Sequence, residues 1–347
     1  MRIFAGTYTE GNNSRGIYTL EFDPNTPGFR VISSAFGRNP SFLAKHGRSV
    51  YAVNELPDTG RLEHFVVEND GSLKVSESVD FPGSVSCHLA VHPSGVSLYA
   101  ANYGSGNIAG FSLLPDGNIG NRISLINHEG SGPNKGRQSG PHAHSVNLSP
   151  NGNHLVAADL GTDKLMVYDI DSSDGSLAAN RINPSVAVTP GEGPRHLVFH
   201  PIKGKLYLVT ELLNNLVVFD YDSESGALAK CANFSVLPKA FTGVSTAADI
   251  HLSPDNRFLY ASSRGWNGLA TFALDDEGDV TSGEFYEGFG ETPRNFALSP
   301  DGAYVFIAYQ GSNVVVAVLR DKITGGLKEI AAEISIPAPV CILLDDL

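Results

Sequence analysis

The feature that most constrains the fold is a unit of about 50 residues that recurs along the chain. Each copy holds an apolar segment, a turn of the [SH]-P-x-G type, a second apolar segment rich in Tyr and Val, a G-x-N-like turn, and a D-x-x-G-x-L segment. Clear copies begin at Leu89, Val146, Leu197, Ile250 and Phe296, and a weaker copy begins at Phe42. Because Val, Tyr and Phe favour strands and Pro with Gly favours hairpin turns, each copy predicts four short antiparallel strands.

A repeat of this length and content is typical of one blade of a β-propeller. The tail from Pro337 to Leu344 resembles only the first strand of a unit, whereas the head of the chain resembles only the later strands. Joined, the two ends make a seventh blade and leave no open sheet edge in the ring. We therefore predict an all-β fold: one domain, residues 1–347, forming a seven-bladed β-propeller of four-stranded antiparallel blades. Its N- and C-terminal strands should share one blade, and a six-bladed ring would leave the head or the tail unexplained.

The composition of the chain limits which molecules it can bind and where it can be located. The net charge of −13 argues against a general nucleic-acid binder, although a local arginine cluster can still hold a small anion. Cys87, Cys231 and Cys341 are too few and too far apart for a disulfide framework or a C-x-x-C metal site. No signal peptide and no apolar run of membrane-spanning length is evident. We expect a cytoplasmic protein, monomeric or weakly self-associating, that binds neither nucleic acid nor membrane.

The copies differ from one another at two places where a structural repeat would stay uniform. In a propeller, the first strand of each blade lines the central channel. Six residues before the turn prolines stand Cys87, His144, Arg195, Ala248 and Arg294; five before them stand His88, Ser145, His196, Asp249 and Asn295. The alternation of side chains along a strand predicts that only one of these two series faces the channel fully.

A second ring of variable residues follows the second strand of each copy. Its members are Glu55, Tyr103, Leu160, Glu211, Arg264 and Gln310. The longest insert, Asn127 to Gly140, is polar and Gly-rich, and leads directly into His142, Ala143 and His144. Long loops and concave propeller mouths commonly carry function. The sequence therefore predicts a ligand site where the two rings meet.

Structural roles compete with this interpretation. Buried polar side chains in such strands often satisfy the backbone of the neighbouring blade, which is the alternative for His88, His196, Asp249 and His251. Glu55 and Arg61 could form a surface ion pair. An inter-blade belt of ion pairs is the alternative for Arg195, Glu211, Arg264 and Arg294.

Several segments resemble one known family. They are G-P-H-A-H-S, G-P-R-H-L-V-F-H-P, V-T-E-L, A-D-I-H-L-S-P-D, S-S-R-G and P-R-N-F-A-L-S-P-D-G, spread in order over the chain. Together they resemble the seven-bladed propeller lactonases, which include bacterial 6-phosphogluconolactonases and fungal carboxy-cis,cis-muconate cyclases. The resemblance implies catalytic roles for His144, Arg195, Glu211 and Arg264. It also implies that the protein uses neither a metal nor another cofactor.

Opening a lactone ring requires a base for the attacking water, donors for the oxyanion, and an acid for the leaving alkoxide. Either Glu211 or His144 could be the base, and Arg195 and Arg264 are natural oxyanion donors. Further substrate contacts are predicted from Arg294, Arg137, Gln310, His196 and Tyr103, with the two arginines suited to a phosphate or a second carboxylate.

The predicted substrate is a small anionic lactone, above all 6-phospho-D-glucono-1,5-lactone in glucose metabolism by the pentose phosphate pathway. Two alternatives stay open at this point. One is a muconate-type lactonising cycloisomerase, since its chemistry also joins an anionic acid to a lactone. The other is a propeller that serves only as a binding platform.

Overall fold

The structure is a computed structural model that describes residues 1–345 of the 347-residue chain. Within that range it contains 29 β-strands and no helix. The strands form seven antiparallel sheets, here called blades 1 to 7. Blade 1 consists, from the channel outward, of β29 (Pro339–Asp345), β1 (Arg2–Thr7), β2 (Gly16–Asp23) and β3 (Gly28–Phe36).

Blades 2 to 4 follow in chain order. Blade 2 contains β4 (Pro40–His46), β5 (Ser49–Asn54), β6 (Gly60–Val67) and β7 (Leu73–Phe81). Blade 3 contains β8 (Ser86–Val91), β9 (Ser97–Asn102), β10 (Asn107–Leu113) and β11 (Ile119–Asn127). Blade 4 contains β12 (Ala143–Leu148), β13 (His154–Asp159), β14 (Lys164–Ile170) and an outer strand split into β15 (Leu177–Ala179) and β16 (Ser185–Ala187).

Blades 5 to 7 repeat the four-strand pattern. Blade 5 contains β17 (Pro194–Phe199), β18 (Lys205–Thr210), β19 (Asn215–Tyr221) and β20 (Leu228–Ser235). Blade 6 contains β21 (Thr246–Leu252), β22 (Phe258–Arg264), β23 (Gly268–Leu274) and β24 (Val280–Tyr286). Blade 7 contains β25 (Pro293–Leu298), β26 (Tyr304–Tyr309), β27 (Val314–Arg320) and β28 (Leu327–Ser335).

The two chain ends close the ring as the sequence predicts. β29 pairs with β1 in antiparallel register, from Arg2 opposite Asp345 to Gly6 opposite Cys341. The buried Asp345 carboxylate also binds Arg2 at 2.9 Å and Lys45 of blade 2 at 2.6 Å. The seven-bladed all-β prediction is thus confirmed. That residues 1–347 form one domain stays a prediction, and its last two residues lie outside the described part of the chain.

The core is a set of seven apolar clusters, each shared by two neighbouring blades. The middle strands are buried on both faces, so that they read as near-continuous runs of Val, Leu, Ile, Ala and Tyr rather than alternating patterns. Each large apolar side chain buried in this way contributes about 1.5–3 kcal/mol. The blades therefore hold one another in place around the channel.

A repeated hydrogen bond also joins the blades. The tyrosine of the second strand donates its hydroxyl to a glycine carbonyl in the D-x-x-G-type turn of the next blade. The pairs are Tyr51 with Gly117, Tyr99 with Gly175, Tyr207 with Gly278 and Tyr260 with Gly325, at 2.6–2.7 Å. These glycines have φ between +75° and +85°, a conformation that other residues adopt only with strain. Two features of the sequence repeat, the tyrosine and the glycine, therefore form one inter-blade contact.

Candidate active site

A β-bulge at the same height in the innermost strands gives the site its side chains. The pairing of β12 with β13 jumps from Ala143 to Ser145, and that of β17 with β18 jumps from Pro194 to His196. His144 and Arg195 are the extra residues, and Cys87 and Arg294 occupy the same place in blades 3 and 7. Bulges of this kind re-aim side chains next to active sites. The predicted strict alternation is therefore wrong: consecutive residues such as Arg195 and His196 both line the channel.

Two neighbouring spaces lie at this level of the channel. The first, here called the mouth cavity, has a volume of about 200 Å³ and is lined by Glu55, Val85, Cys87, Tyr103, Arg137, His144, Glu211, Arg264 and Arg294. The second, here called the inner chamber, measures about 10 Å³ and is lined by Ser41, Phe42, Glu55, Cys87, His144, Arg195, His196, Arg294, Asn295 and Val340. Four residues border both spaces: Glu55, Cys87, His144 and Arg294.

The Glu211 carboxylate is the centre of a buried cluster of charges. Its Oε2 accepts from Nε of Arg195 at 3.0 Å and lies 3.1 Å from Nη2 of Arg264. Its Oε1 accepts from Nη2 of Arg137 at 2.6 Å. Burial would raise the pKa of Glu211, but Arg264, Arg195 and Arg137 outweigh it and lower that pKa to about 2. Glu211 is therefore ionised, and both of its oxygens are occupied.

The imidazole of His144 completes this cluster. Its Nε2 lies 3.6 Å from Oε2 of Glu211, and its Nδ1 lies 3.8 Å from the sulfur of Cys87. Burial, followed by the positive charge of Arg195, holds the pKa of His144 well below 6.5. Burial likewise raises the pKa of the Cys87 thiol, which therefore stays protonated. The site thus presents a neutral imidazole beside an ionised carboxylate.

The backbone fixes the two buried arginines. Arg195 donates from Nη1 to the carbonyl of Ala248, and Arg264 donates from Nη2 to the carbonyl of Ala247 at 3.1 Å. Nη2 of Arg195 and Nη1 of Arg264 have no hydrogen-bond partner in residues 1–345. Each guanidinium is therefore held rigidly by some of its N–H groups and retains others for a ligand.

Glu55 of blade 2 and Arg294 of blade 7 also border the cavity, and both contact Tyr8 of blade 1. The Tyr8 hydroxyl donates to Oε2 of Glu55 at 2.8 Å, and the guanidinium of Arg294 lies 5.2 Å from the centre of the Tyr8 ring. Arg294 has no ion pair within the described part of the chain. The suggested surface pair of Glu55 with Arg61 is wrong, because Arg61 pairs with Asp80 at 2.6 Å.

Glu55 thus joins the site, with Tyr8 bound to it from outside the lining, although neither was among the predicted site residues. The signal for Glu55 was present, since it occupies the same repeat position as Glu211. Tyr8 holds the same position in blade 1: it follows β1, and its amide donates to the carbonyl of Ala338 at 3.0 Å, so that the repeat carries the same signal for Tyr8.

The loop before blade 4 is anchored by one buried side chain. Nε2 of Gln138 donates to the carbonyl of Leu160 at 2.9 Å and to Oδ1 of Asp163 at 2.8 Å. This fixes the neighbouring Arg137, whose Nη2 also donates to the hydroxyl of Tyr103 at 3.2 Å. The ring of Tyr103 in turn stacks on His142 at 4.4 Å. The Gly-rich insert therefore delivers Arg137 to the cavity, as its position in the sequence suggests.

Deeper in the channel, polar side chains bind the backbone of adjacent blades. His88 accepts from the amide of Val146 at 3.4 Å, Asp249 accepts from that of Phe296 at 3.2 Å, and Asn295 accepts from that of Ile342 at 2.6 Å. His196 and His251 both bind Asp249, at 2.7 and 2.8 Å. The inter-blade alternative therefore describes His88 and Asp249 directly. His196 lines the inner chamber as well.

Of the nine predicted site residues, Tyr103, Arg137, His144, Glu211, Arg264 and Arg294 line the mouth cavity, and Arg195 and His196 line the inner chamber. Gln310 lines neither of them. The alternative of an ion-pair belt fits Arg195, Glu211 and Arg264, which are paired, but not Arg294. In residues 1–345, no group of three or more His, Cys, Asp or Glu side chains has the geometry to hold a metal.

Comparison with known proteins agrees with the fold and the motifs. The family model described as "Lactonase, 7-bladed beta-propeller" matches residues 2–344. A 6-phosphogluconolactonase of Bacillus subtilis (strain 168) is 31% identical over 345 residues, which cover 98% of this chain and 97% of that protein. A 6-phosphogluconolactonase of Formosa agariphila is 30% identical over 341 residues, covering 96% of each chain.

Solved structures give the same result over the same length. The periplasmic gluconolactonase of Pseudomonas aeruginosa superposes with a TM-score of 0.93 at 31% identity, covering 99% of this chain and 98% of that one. A candidate 6-phosphogluconolactonase of Bacteroides fragilis gives a TM-score of 0.93 at 33% identity, with the same coverage. On the strength of the family match, the full-length relatives and the shared ring of seven blades, the chain belongs to the seven-bladed β-propeller lactonase family.

Proposed function

We propose that this protein hydrolyses a sugar lactone, 6-phospho-D-glucono-1,5-lactone in particular, to the open-chain acid. The observation that carries the proposal is a cavity of about 200 Å³ in which a neutral imidazole stands beside Arg137, Arg264 and Arg294, with Arg195 in the neighbouring inner chamber. Of these four arginines, only Arg294 has no carboxylate partner within the described chain. A lactone needs a base and oxyanion donors, and a phosphate needs a free cation. Relatives named 6-phosphogluconolactonase, alike over their whole length, support this substrate.

His144 is the general base of the proposed reaction. Glu211 is a poor base because its pKa is about 2 and three arginines occupy its oxygens. His144 is unprotonated at neutral pH, since burial and Arg195 lower its pKa. Glu211 orients the imidazole and stabilises the imidazolium that forms when His144 accepts a proton, which is the role of the carboxylate in a catalytic triad.

In the proposed reaction, the arginines stabilise the oxyanion and bind the phosphate. Arg195 and Arg264 stabilise the oxyanion through their free N–H groups, because they are held in place by Glu211 and by backbone carbonyls before substrate arrives. Arg294, which has no carboxylate partner in the described chain, binds the phosphate, with Arg137 at the cavity rim. Tyr103 and His196 supply neighbouring contacts.

In the reaction, water attacks C1 of the lactone and transfers a proton to His144. The C1–O5 bond of the resulting tetrahedral intermediate then breaks, and the imidazolium returns the proton to the ring oxygen. One water is consumed and one carboxylic acid is formed, which ionises in solution. No nucleophilic side chain is required, in keeping with the protonated Cys87.

We further propose that the protein acts in the cytoplasm as a monomer or weak oligomer. The three free cysteines support a reducing compartment. In residues 1–345 there is no helix long and apolar enough to cross a membrane. Cell fractionation is the test, because the Pseudomonas aeruginosa relative is named as periplasmic.

The function is tested by hydrolysis of freshly generated 6-phosphoglucono-1,5-lactone, coupled to 6-phosphogluconate dehydrogenase and corrected for spontaneous ring opening. Wild type should be well above the spontaneous rate, and His144→Ala should lose about 10²–10⁴-fold in kcat. Arg195→Ala should also lose most of the activity. Arg61→Ala, which alters a surface ion pair outside the cavity, is the matched control and should behave as wild type.

Activity that survives both cavity substitutions would mean that the reaction occurs elsewhere. A wild-type rate equal to the spontaneous rate would exclude this substrate. In that case, glucono-1,5-lactone without phosphate and substituted muconates are the next compounds to assay.

A further inference from the structure

The mouth cavity contains two carboxylates that occupy the same repeat position but have very different partners. Glu55 follows β5 and Glu211 follows β18. Each is held by an equivalent backbone bond, from its amide to the carbonyl of Asn39 or of Gly193, at 2.9 and 2.8 Å. Because blades 2 and 5 are three positions apart in a ring of seven, the two side chains border the cavity from opposite sides.

Both oxygens of Glu211 already accept from arginines, whereas only one oxygen of Glu55 has a side-chain donor within the described chain. The only side-chain donor to Glu55 in residues 1–345 is the hydroxyl of Tyr8, which binds Oε2 at 2.8 Å. Each carboxylate offers about four lone-pair positions, so that Oε1 of Glu55 remains available. Within the described chain, Glu55 is thus the carboxylate of this cavity that can accept hydrogen bonds from a substrate or from water.

The inner chamber has the volume of one water molecule. At about 10 Å³ it is close to the space that one water-sized sphere occupies, and a buried water needs two to four polar partners. Glu55 and His144 both border this chamber, and both also border the mouth cavity. A water in this place would therefore lie beside one carboxylate and one imidazole, next to the cavity that the lactone fills.

Building on the proposed function, we propose that Glu55 is a further catalytic residue, which together with His144 holds the attacking water in the inner chamber. The water donates one hydrogen to His144, which accepts it as a proton when the oxygen attacks C1. It donates its other hydrogen to Glu55, which keeps it as a hydrogen bond and does not become protonated. Tyr8 fixes Glu55 in this orientation, and the Tyr8 ring in turn lies against Arg294.

The test is steady-state kinetics of Glu55→Ala and Glu55→Gln with 6-phosphoglucono-1,5-lactone. Loss of a hydrogen bond to a charged group should lower kcat of Glu55→Ala by about 10- to 10²-fold and change KM by less than about threefold. Glu55→Gln should fall between that variant and wild type, since its amide oxygen still accepts from water. Added formate should raise kcat of Glu55→Ala, because a small carboxylate can occupy the vacated position.

Glu63→Gln is the matched control. Glu63 is a buried carboxylate of the same blade that accepts from Asn54 at 3.0 Å and borders neither space. Its variant should keep wild-type kinetics and show no response to formate. Thermal unfolding of all three variants shows whether each one folds.

Three results would overturn the inference while leaving the proposed function in place. Wild-type kcat in Glu55→Ala would remove Glu55 from the chemistry. An unchanged kcat with a raised KM would make Glu55 a contact for substrate hydroxyls. A low kcat that formate does not restore would make its role structural. A wild type no faster than the spontaneous reaction would overturn the proposed function, and this inference with it.

Discussion

At the scale of single residues, the site depends on one carboxylate that neutralises several cations. Arg137, Arg195 and Arg264 all reach Glu211, while Arg294 reaches no carboxylate within the described chain. Four guanidinium groups this close would repel one another in a region of low dielectric constant. Glu211 therefore has a structural role beside the catalytic one proposed above, and the two can be separated by measuring stability together with activity.

Substitution of Glu211 should lower both the stability and the activity of the protein. In Glu211→Gln the amide leaves buried arginines without a counter-charge, and breaking a buried pair in this way costs about 3–5 kcal/mol of unfolding free energy. The kcat should also fall, because the imidazole of His144 loses the group that stabilises its charged form. Urea denaturation and the coupled lactonase assay measure the two effects. Glu291→Gln, an exposed carboxylate outside both spaces, should show neither.

The depressed pKa of His144 gives the activity a defined pH dependence. Because the folded protein keeps this imidazole neutral below pH 6.5, kcat should stay near its plateau at pH 6 and fall only as the pH decreases further. A phosphate also titrates near pH 6. The profile is therefore measured with glucono-1,5-lactone alongside the phosphorylated substrate. An acid limb with its midpoint at or above pH 6.5 on both lactones would contradict His144 as the base.

At the scale of structural elements, two devices convert a uniform repeat into a site. The bulge in the innermost strands turns one extra residue per blade toward the channel, as in His144 and Arg195. The tyrosine-to-glycine bonds fix the angle between neighbouring blades. The bulge cannot be predicted from strand periodicity, because it breaks that periodicity. The tyrosine and the glycine can both be seen in the sequence repeat, but the repeat does not show that they contact each other.

Removal of one of these inter-blade hydrogen bonds should lower the unfolding free energy of the protein. Tyr207→Phe keeps the buried ring but removes the donor to the carbonyl of Gly278, and an unsatisfied buried acceptor costs about 1–3 kcal/mol. The activity of the folded variant should not change, since Tyr207 lies outside both spaces of the site. Chemical denaturation and the lactonase assay check the two statements. Tyr18→Phe is the control, because that partly exposed ring makes no inter-blade bond of this kind.

At the scale of the whole molecule, the sequence predicts the architecture better than it predicts the site. Seven units, closed by β29 and β1, follow from repeat length and from two incomplete ends. The ring symmetry also brings Glu211 and Arg264 together correctly. It fails for Gln310, which has the right repeat position but lines neither space, whereas Tyr8, at the same position in blade 1, binds Glu55. Repeat position gives the height of a residue in the channel, whereas its rotamer and its partners decide whether it faces the ligand.

The channel also makes the stability of the whole ring depend on pH. Burial, first among the causes, holds the pKa of His88 and His144 well below 6.5 and that of His196 at about 4. The unfolded chain binds protons at these positions near pH 6.5, but the folded chain does not, so stability is present above pH 6.5 and is lost as the pH falls toward 4. His251 acts in the opposite direction, because Asp249 raises its pKa despite burial.

Of these four channel imidazoles, three act in one direction and one in the other, which predicts a net loss of unfolding free energy between pH 7 and pH 5. His196, with a pKa of about 4, contributes about 2 kcal/mol of this loss. Urea midpoints at pH 7, 6 and 5 measure it. His144→Gln removes one titrating group, so that its midpoint should fall less steeply with decreasing pH, whatever its stability at pH 7. Equal slopes for wild type and His144→Gln would mean that His144 has the same pKa in the folded and unfolded protein, and would contradict the buried neutral imidazole on which its role as the base rests.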